Sequence, residues 1–206
     1  LEAQAKEGGH EFLKLEAEVP TIFIMGGSSG ASAINEVVLD ALPTLLERYN
    51  VVHQTGSANQ SEINEVASVI LRNSKYANRY RNFGLLNALA IRMTAGISSL
   101  VVSRAGSGTI FEIASWGIPS ILIPIPTEIS HDQTENAFSY ARMGAASVLE
   151  QINLTPHLLA AEIEHIMKDQ NLHASMSMAA KTFARPDAAK KVAAIIVETA
   201  LAHEHR

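Results

Sequence analysis

Residues 100–126 read LVVSRAGSGTIFEIASWGIPSILIPIP, and the order of residue types in this stretch decides the fold. Leu100–Val102 is a short apolar, partly β-branched run, the composition of a strand. Arg104–Gly108 is a glycine-rich turn, and Thr109–Trp116 reads as a helix that Gly117–Pro119 stops. Ser120–Ile123 is a second continuous apolar run, followed by the proline-marked loop Pro124–Ser130. Strands linked by helices are the unit of a parallel sheet, and fully apolar strands are those buried on both faces.

The same alternation continues in both directions. Upstream, Thr21–Met25 predicts a strand, Gly26–Gly30 a glycine-rich turn and Ala31–Arg48 a helix, with Ile34, Val37, Val38, Ala41, Leu42 and Leu45 at helical spacing. Tyr49–Gln54 predicts a strand, Ser61–Leu71 a helix, Tyr80–Phe83 a weaker strand and Leu85–Ala95 a helix. Downstream, Asp132–Met143 predicts a helix ended by Gly144, and Ala146–Leu149 a last strand. Beyond it the pattern is helical only, over 155–168, 171–184 and 187–203, with the middle helix stopping before Pro186. The expected fold is α/β: one Rossmann-like, doubly wound parallel sheet with a helical C-terminal tail. Residues 1–18 are expected to be a linker or lead-in segment, and 19–206 a single ligand-binding domain. No repeat of fixed period and no heptad pattern is present.

Composition narrows the class further. A chain of 206 residues, 47% hydrophobic and 18% charged, has enough apolar sequence for a substantial core. A net charge of −5 gives no overall field for nucleic acid. There is no cysteine, which removes disulfides and thiolate metal sites and suits a reducing compartment. No apolar run approaches the roughly 20 residues of a membrane-spanning helix, and Ile118–Pro126 is broken by three prolines. A cytoplasmic location is expected. Leu1 in place of an initiator Met suggests a piece of a longer chain.

In an open α/β sheet, ligands bind beyond the carboxyl ends of the strands, where three turns carry unusual chemistry. In the first, Gly26, Gly27, Ser28 and Gly30 allow close backbone approach, and the following helix opens with free N–H groups suited to a phosphate. A tight turn capped by Ser28 or Ser29 explains it equally well. In the second, Ser107, Gly108 and Thr109 open a helix with Glu112 one turn in. The third glycine of a dinucleotide fingerprint is replaced by Phe111, and no P-loop lysine follows either turn. A carboxylate at Glu112 can accept from the two hydroxyls of a ribose; the bland alternative is an acid complementing the helix dipole. In the third, Asp132, Gln133 and Asn136 form a polar cluster at a helix start, with the last two on one face. Such side chains hold sugar hydroxyls, and capping by Asp132 or Asn136 is the simpler alternative.

The eight histidines form no metal motif. His53 reads as a strand-end residue rather than a catalyst, and His131 has no nucleophile partner in the sequence. No cofactor and no metal are expected.

At these turns the sequence resembles the C-terminal domain of the bacterial MurG-type transferases, which move N-acetylglucosamine from UDP to a lipid-linked muramyl-pentapeptide. The matching stretches are IMGGSSGASAIN (24–35), VVHQTG (51–56), VVSRAGSGTIFEIASWGIPSILIPIP (101–126), DQTENA (132–137), GAASVLEQINLTP (144–156) and FARPDAAKKVA (183–193). They occur in the family's order over nearly all of 20–200.

The resemblance implies a GT-B architecture with UDP-N-acetylglucosamine bound by this domain. It places Ser28 and the Gly26–Gly30 turn on the donor side of the cleft, and the stretch at Leu85–Leu86 against the uracil. Ser107, Gly108 and Thr109 fall near the diphosphate, Glu112 on the ribose hydroxyls and Gln133 on the sugar. Asp132 departs from the His or Gln usual there.

By the same resemblance, an N-terminal domain supplies the acceptor site, a general-base His and the membrane-facing patch, so this chain holds no catalytic residue of its own. The implied reaction inverts the anomeric carbon, with UDP stabilised by helix N-termini and no obligatory metal. The full-length protein is then peripheral on the inner face of the plasma membrane. The alternatives are a non-catalytic nucleotide-sugar module working with a separate partner, or another GT-B enzyme such as a glycolipid transferase or a UDP-sugar epimerase.

Overall fold

The computed structural model describes residues 8–26, 31–127, 129 and 131–204, and for 131, 132 and 201–204 the backbone alone. Its strands are β1 (Thr21–Met25), β2 (Asn50–Gln54), β3 (Tyr80–Phe83), β4 (Ser98–Ser103), β5 (Ser120–Leu122) and β6 (Ala146–Val148). All neighbours pair in parallel, in the order β3-β2-β1-β4-β5-β6. The doubly wound parallel sheet expected from the sequence is therefore present.

Parallel strands must be covered on both faces, and the period of two along β1 shows how. Ile22 and Ile24 enter one core with Ile34, Val38 and Leu42 of α2 (Ser32–Leu45), Ile63 of α3 (Gln60–Ile70) and Ile163 of α7 (Pro156–Lys168). Phe23 and Met25 enter the other core. There they meet Ala90 of α4 (Ala88–Ile97), Ile113 of α5 (Ser107–Trp116) and Tyr140 of α6 (His131–Arg142). Ile22, Phe23 and Ile24 are wholly buried, so truncating any of them leaves a cavity costing about 2–5 kcal/mol.

Local chemistry sets the helix ends. The Asn87 side chain accepts from Ala90 N, Thr155 from Leu158 N, and Asp169 from Asn171 N and Leu172 N at the start of α8 (Gln170–Phe183). Gly117 ends α5 at φ 66°, where its N–H and that of Ile118 close the last turn on Ile113 O. Only glycine takes that left-handed conformation without strain.

The lead-in residues are fastened to the domain. After the short α1 (Gly9–Leu13), Leu13 and Leu15 are buried. Arg81 donates to the carbonyls of Leu13 and Lys14, and Arg79 pairs with Glu16 at 2.9 Å. At the other end α9 (Ala188–Glu204) leaves Val192, Ile195, Ile196 and Val197 exposed. Among the described residues, no helix is long and apolar enough to cross a membrane.

The chain builds outward from β1 to β3 and then returns to place β4 beside β1, with Met25 opposite Ser103. Strand order reverses at that pair, and the crevice beyond their carboxyl ends is where such sheets bind ligands.

Candidate functional site

Two helices open at the β1/β4 crevice, α2 after the Gly26 turn and α5 after Ser103. Their N-cap residues, Ala31 and Gly106, provide no side-chain cap. The first N–H groups of α5 therefore face the crevice with the helix dipole behind them, a setting for an anion. Neither glycine of that turn is required by the protein itself. Gly106 sits at φ −65°, and a Cβ on Gly108 would meet no atom of the described residues within 4 Å. Glycine where the fold does not need it leaves room for something to approach the backbone.

Glu112 is the sixth residue of α5, and the first turn holds no acid. The dipole effect fades within the first turn, so it does not account for this carboxylate. Glu112 lies four residues after Gly108 on the same helix face, and Gly108 carries no side chain to stand in front of it. It is half-buried, burial raises its pKa above the ordinary value, and among the described residues no hydrogen bond or ion pair reaches its carboxylate.

Two members of the polar cluster on α6 hold the α5 turn in place. Gln133 Oε1 accepts from Ala105 N and Ile125 N, both at 3.2 Å, and Asn136 Nδ2 donates to Ala105 O at 3.3 Å. Both backbone polar groups of Ala105, and so the peptides on either side of it, are thereby clamped from one helix face. Because the two partners of Gln133 are donors, its oxygen is fixed on them and its NH2 points elsewhere. Arg104 adds a second tie, donating to the carbonyls of Ile123 and Pro124 at 3.2 and 3.3 Å. Its guanidinium is half-buried, with its pKa lowered by burial, and no carboxylate pairs with it among the described residues. It puts a cation beside the crevice.

Leu86, at the turn after β3, is 5% exposed and packs into the core, whereas Leu85 is 61% exposed. A ligand at this turn would meet the Leu86 backbone and the Leu85 side chain. Gly27, Ser28 and Gly30 lie outside the described residues, as does the side chain of Asp132.

The family model of the glycosyltransferase family 28 C-terminal domain matches residues 21–192. The chain belongs to this family. A family 28 relative from Bacillus cereus is 37% identical over 169 residues, 82% of this chain and 45% of its own. One from Pediococcus pentosaceus is 34% identical over 193 residues, 92% of this chain and 51% of its own. Both are UDP-N-acetylglucosamine--N-acetylmuramyl-(pentapeptide) pyrophosphoryl-undecaprenol N-acetylglucosamine transferases. Among solved structures, Acinetobacter baumannii MurG matches with a TM-score of 0.75 and 26% identity, over 94% of this chain and 54% of that one. The chain spans about half the length of the curated relatives it matches.

Beneath the crevice of this family 28 domain lies a buried polar chain that periodicity alone does not show. Asn35 Nδ2 donates to Thr55 O at 3.0 Å, which leaves Asn35 Oδ1 to accept from His53 Nε2 at 3.0 Å. The neutral imidazole must then accept at Nδ1 from the Tyr80 hydroxyl, also at 3.0 Å. Burial pushes the His53 pKa down to about 3. Gly26–Gly30 also spells G-x-S-x-G, the pattern of a serine nucleophile elbow. His53 has both ring nitrogens committed, so it provides no base to that turn.

His53→Leu strands Asn35 Oδ1 and the Tyr80 hydroxyl in the core and is expected to cost about 2 kcal/mol in urea unfolding. Below the ordinary imidazole pKa, the unfolded chain takes a proton that folded His53 refuses. Stability should therefore fall as pH drops from about 6.5 toward 3, and the Leu variant should lose that part of the dependence. An unchanged unfolding midpoint would mean that both stranded groups find other partners.

Proposed function

We propose that this chain is the donor-binding half of a transferase that moves N-acetylglucosamine from UDP to a lipid-linked muramyl-peptide acceptor. Residues 19–206 form the donor domain and 1–18 lead into it. The observation that carries the reading is the opening of α5: a helix start without a side-chain cap, and, among the described residues, open space at Gly108 and no hydrogen bond or ion pair to Glu112 on the same face. The diphosphate lies against the N–H groups of Ser107–Thr109 and the Gly26 turn, with Arg104 adding positive charge. Glu112 accepts from the ribose hydroxyls, and the base lies against the turn after β3. That turn is three strand positions from β4, about 14 Å at about 4.8 Å per strand, a reach that an extended nucleoside diphosphate covers. The NH2 of Gln133 and the side chain of Asn136 face the sugar, and Asp132 is assigned to the same contact.

In transfer, negative charge grows on the departing diphosphate, and donors already oriented toward it lower the barrier. The family and the names of the relatives support the choice of sugar and acceptor. The acceptor site and the base come from the N-terminal half of the whole protein, which works at the inner face of the plasma membrane. The 206-residue chain alone binds donor and transfers nothing.

Calorimetric titration tests this reading. UDP and UDP-N-acetylglucosamine should bind one site with Kd below about 1 mM, without added metal. Absence of heat with either ligand at several millimolar would sink it.

A further inference from the structure

The end of β2, His53-Gln54, and the next residue, Thr55, contact both the Gly26 turn and the turn after β3. Gln54 stands between Met25 and Phe83 in register, so it faces the exits of both β1 and β3. Its backbone carbonyl accepts from Gly26 N at 2.9 Å. Its side-chain Oε1 accepts from Leu86 N at 3.2 Å. The residue is 4% exposed, so its side chain has one place to be. Thr55 adds two bonds to Phe83 O, from its own N at 2.9 Å and its Oγ1 at 3.2 Å. Gly84 starts the turn with Gln60 Oε1 and Ser57 Cα against the position of an added Cβ, at 2.6 and 3.0 Å. Asn87 closes it as the cap of α4. Between these two anchors, Gln54 is the side chain that fixes the orientation of the Leu86 peptide.

A nucleobase edge is distinguished by the direction of the hydrogen bonds offered to it. Uracil and cytosine differ by exchange of a donor and an acceptor at one ring edge. Backbone groups can read that difference only if the peptide that carries them does not rotate. We propose that Gln54 is a positioning residue that sets nucleobase selectivity, by locking the Leu86 peptide at the turn where the base lies. The inference rests on the nucleotide-sugar reading above, and it places the choice of base in a residue that touches no ligand.

UDP and CDP share ribose and diphosphate, so their affinity ratio isolates the base. Calorimetry on the 206-residue chain should give a clear preference for UDP. Gln54→Leu removes the acceptor for Leu86 N, and Gln54→Asn withdraws it by one methylene while staying polar, which protects the test if the Leu variant fails to fold. Each should weaken UDP by about 10-fold and leave CDP within about two-fold, so that the ratio collapses. Gln54→Glu, which keeps an oxygen on Leu86 N, should hold most of the ratio. Equal losses for both nucleotides, no loss for either, or an unaltered chain that does not discriminate would overturn the inference and leave the nucleotide site standing. An unaltered chain that binds neither nucleotide would overturn both.

Discussion

Glu112→Ala is expected to weaken UDP by roughly 100-fold and to leave 2′-deoxy-UDP much less affected. Two hydrogen bonds to a charged acceptor are each worth about 1.5 kcal/mol at the low end of their range, and about 1.4 kcal/mol is tenfold in affinity. A ligand lacking one of the two hydroxyls has less to lose. Equal losses for both ligands would reject the ribose role.

Stability supplies an independent check, and its sign is opposite to that of a structural residue. Burial raises the Glu112 pKa, so the folded chain holds that proton more tightly than the unfolded chain. The group's contribution therefore falls as pH rises from the unfolded pKa through the raised folded one, and at neutral pH the ionised carboxylate costs stability. Glu112→Gln, of equal volume, should melt above the parent at pH 7 and converge with it in acid, where Glu112 is protonated. Affinity lost together with melting temperature would mark Glu112 as a packing residue instead.

The fold was legible because β-α-β punctuation is local. Apolar runs beside glycine or proline locate the other strands, and the weaker run Tyr80–Phe83, which carries Arg81 and Asn82, is found to the residue. Boundaries moved where a cap outweighs periodicity. α4 begins at Ala88 rather than Leu85 because Asn87 caps it, and α5 begins at Ser107 because Gly106 is extended at φ −65°, ψ 138°. Glu112 needed only its distance from Gly108 to be noticed.

The supporting chemistry was not legible, since it depends on strand order. His53, Asn35 and Tyr80 are far apart in sequence, and nothing in HQTG or ASAIN announces that they meet. Gln133 and Asn136 read correctly as a polar face of α6. What they touch, the Ala105 backbone, is set by how α6 lies against the start of α5. Arg104 sat inside the stretch that decided the fold without receiving a role, because its partners are carbonyls of the next strand's exit.

Gly108→Ala is expected to weaken the diphosphate contact without harming the fold. The position is the second residue of α5 and, among the described residues, has open space around it, so alanine should leave the fold intact and gain up to about 1 kcal/mol of stability from helix propensity and reduced unfolded-state entropy. The same methyl would stand over the N–H groups of Gly108 and Thr109. Losing two charge-assisted bonds costs about 3 kcal/mol, so UDP should weaken by roughly 100-fold while melting temperature rises. Gly26→Ala is the contrasting case. There a Cβ meets Gln54 O at 2.9 Å and Ala31 N at 3.3 Å, both backbone atoms that cannot swing aside, so stability must fall by about 1–3 kcal/mol whatever happens to the ligand. The two glycines separate what the fold requires from what the ligand requires. A Gly108→Ala chain that kept full affinity would move the diphosphate away from α5, even if Glu112 still proved to hold the ribose.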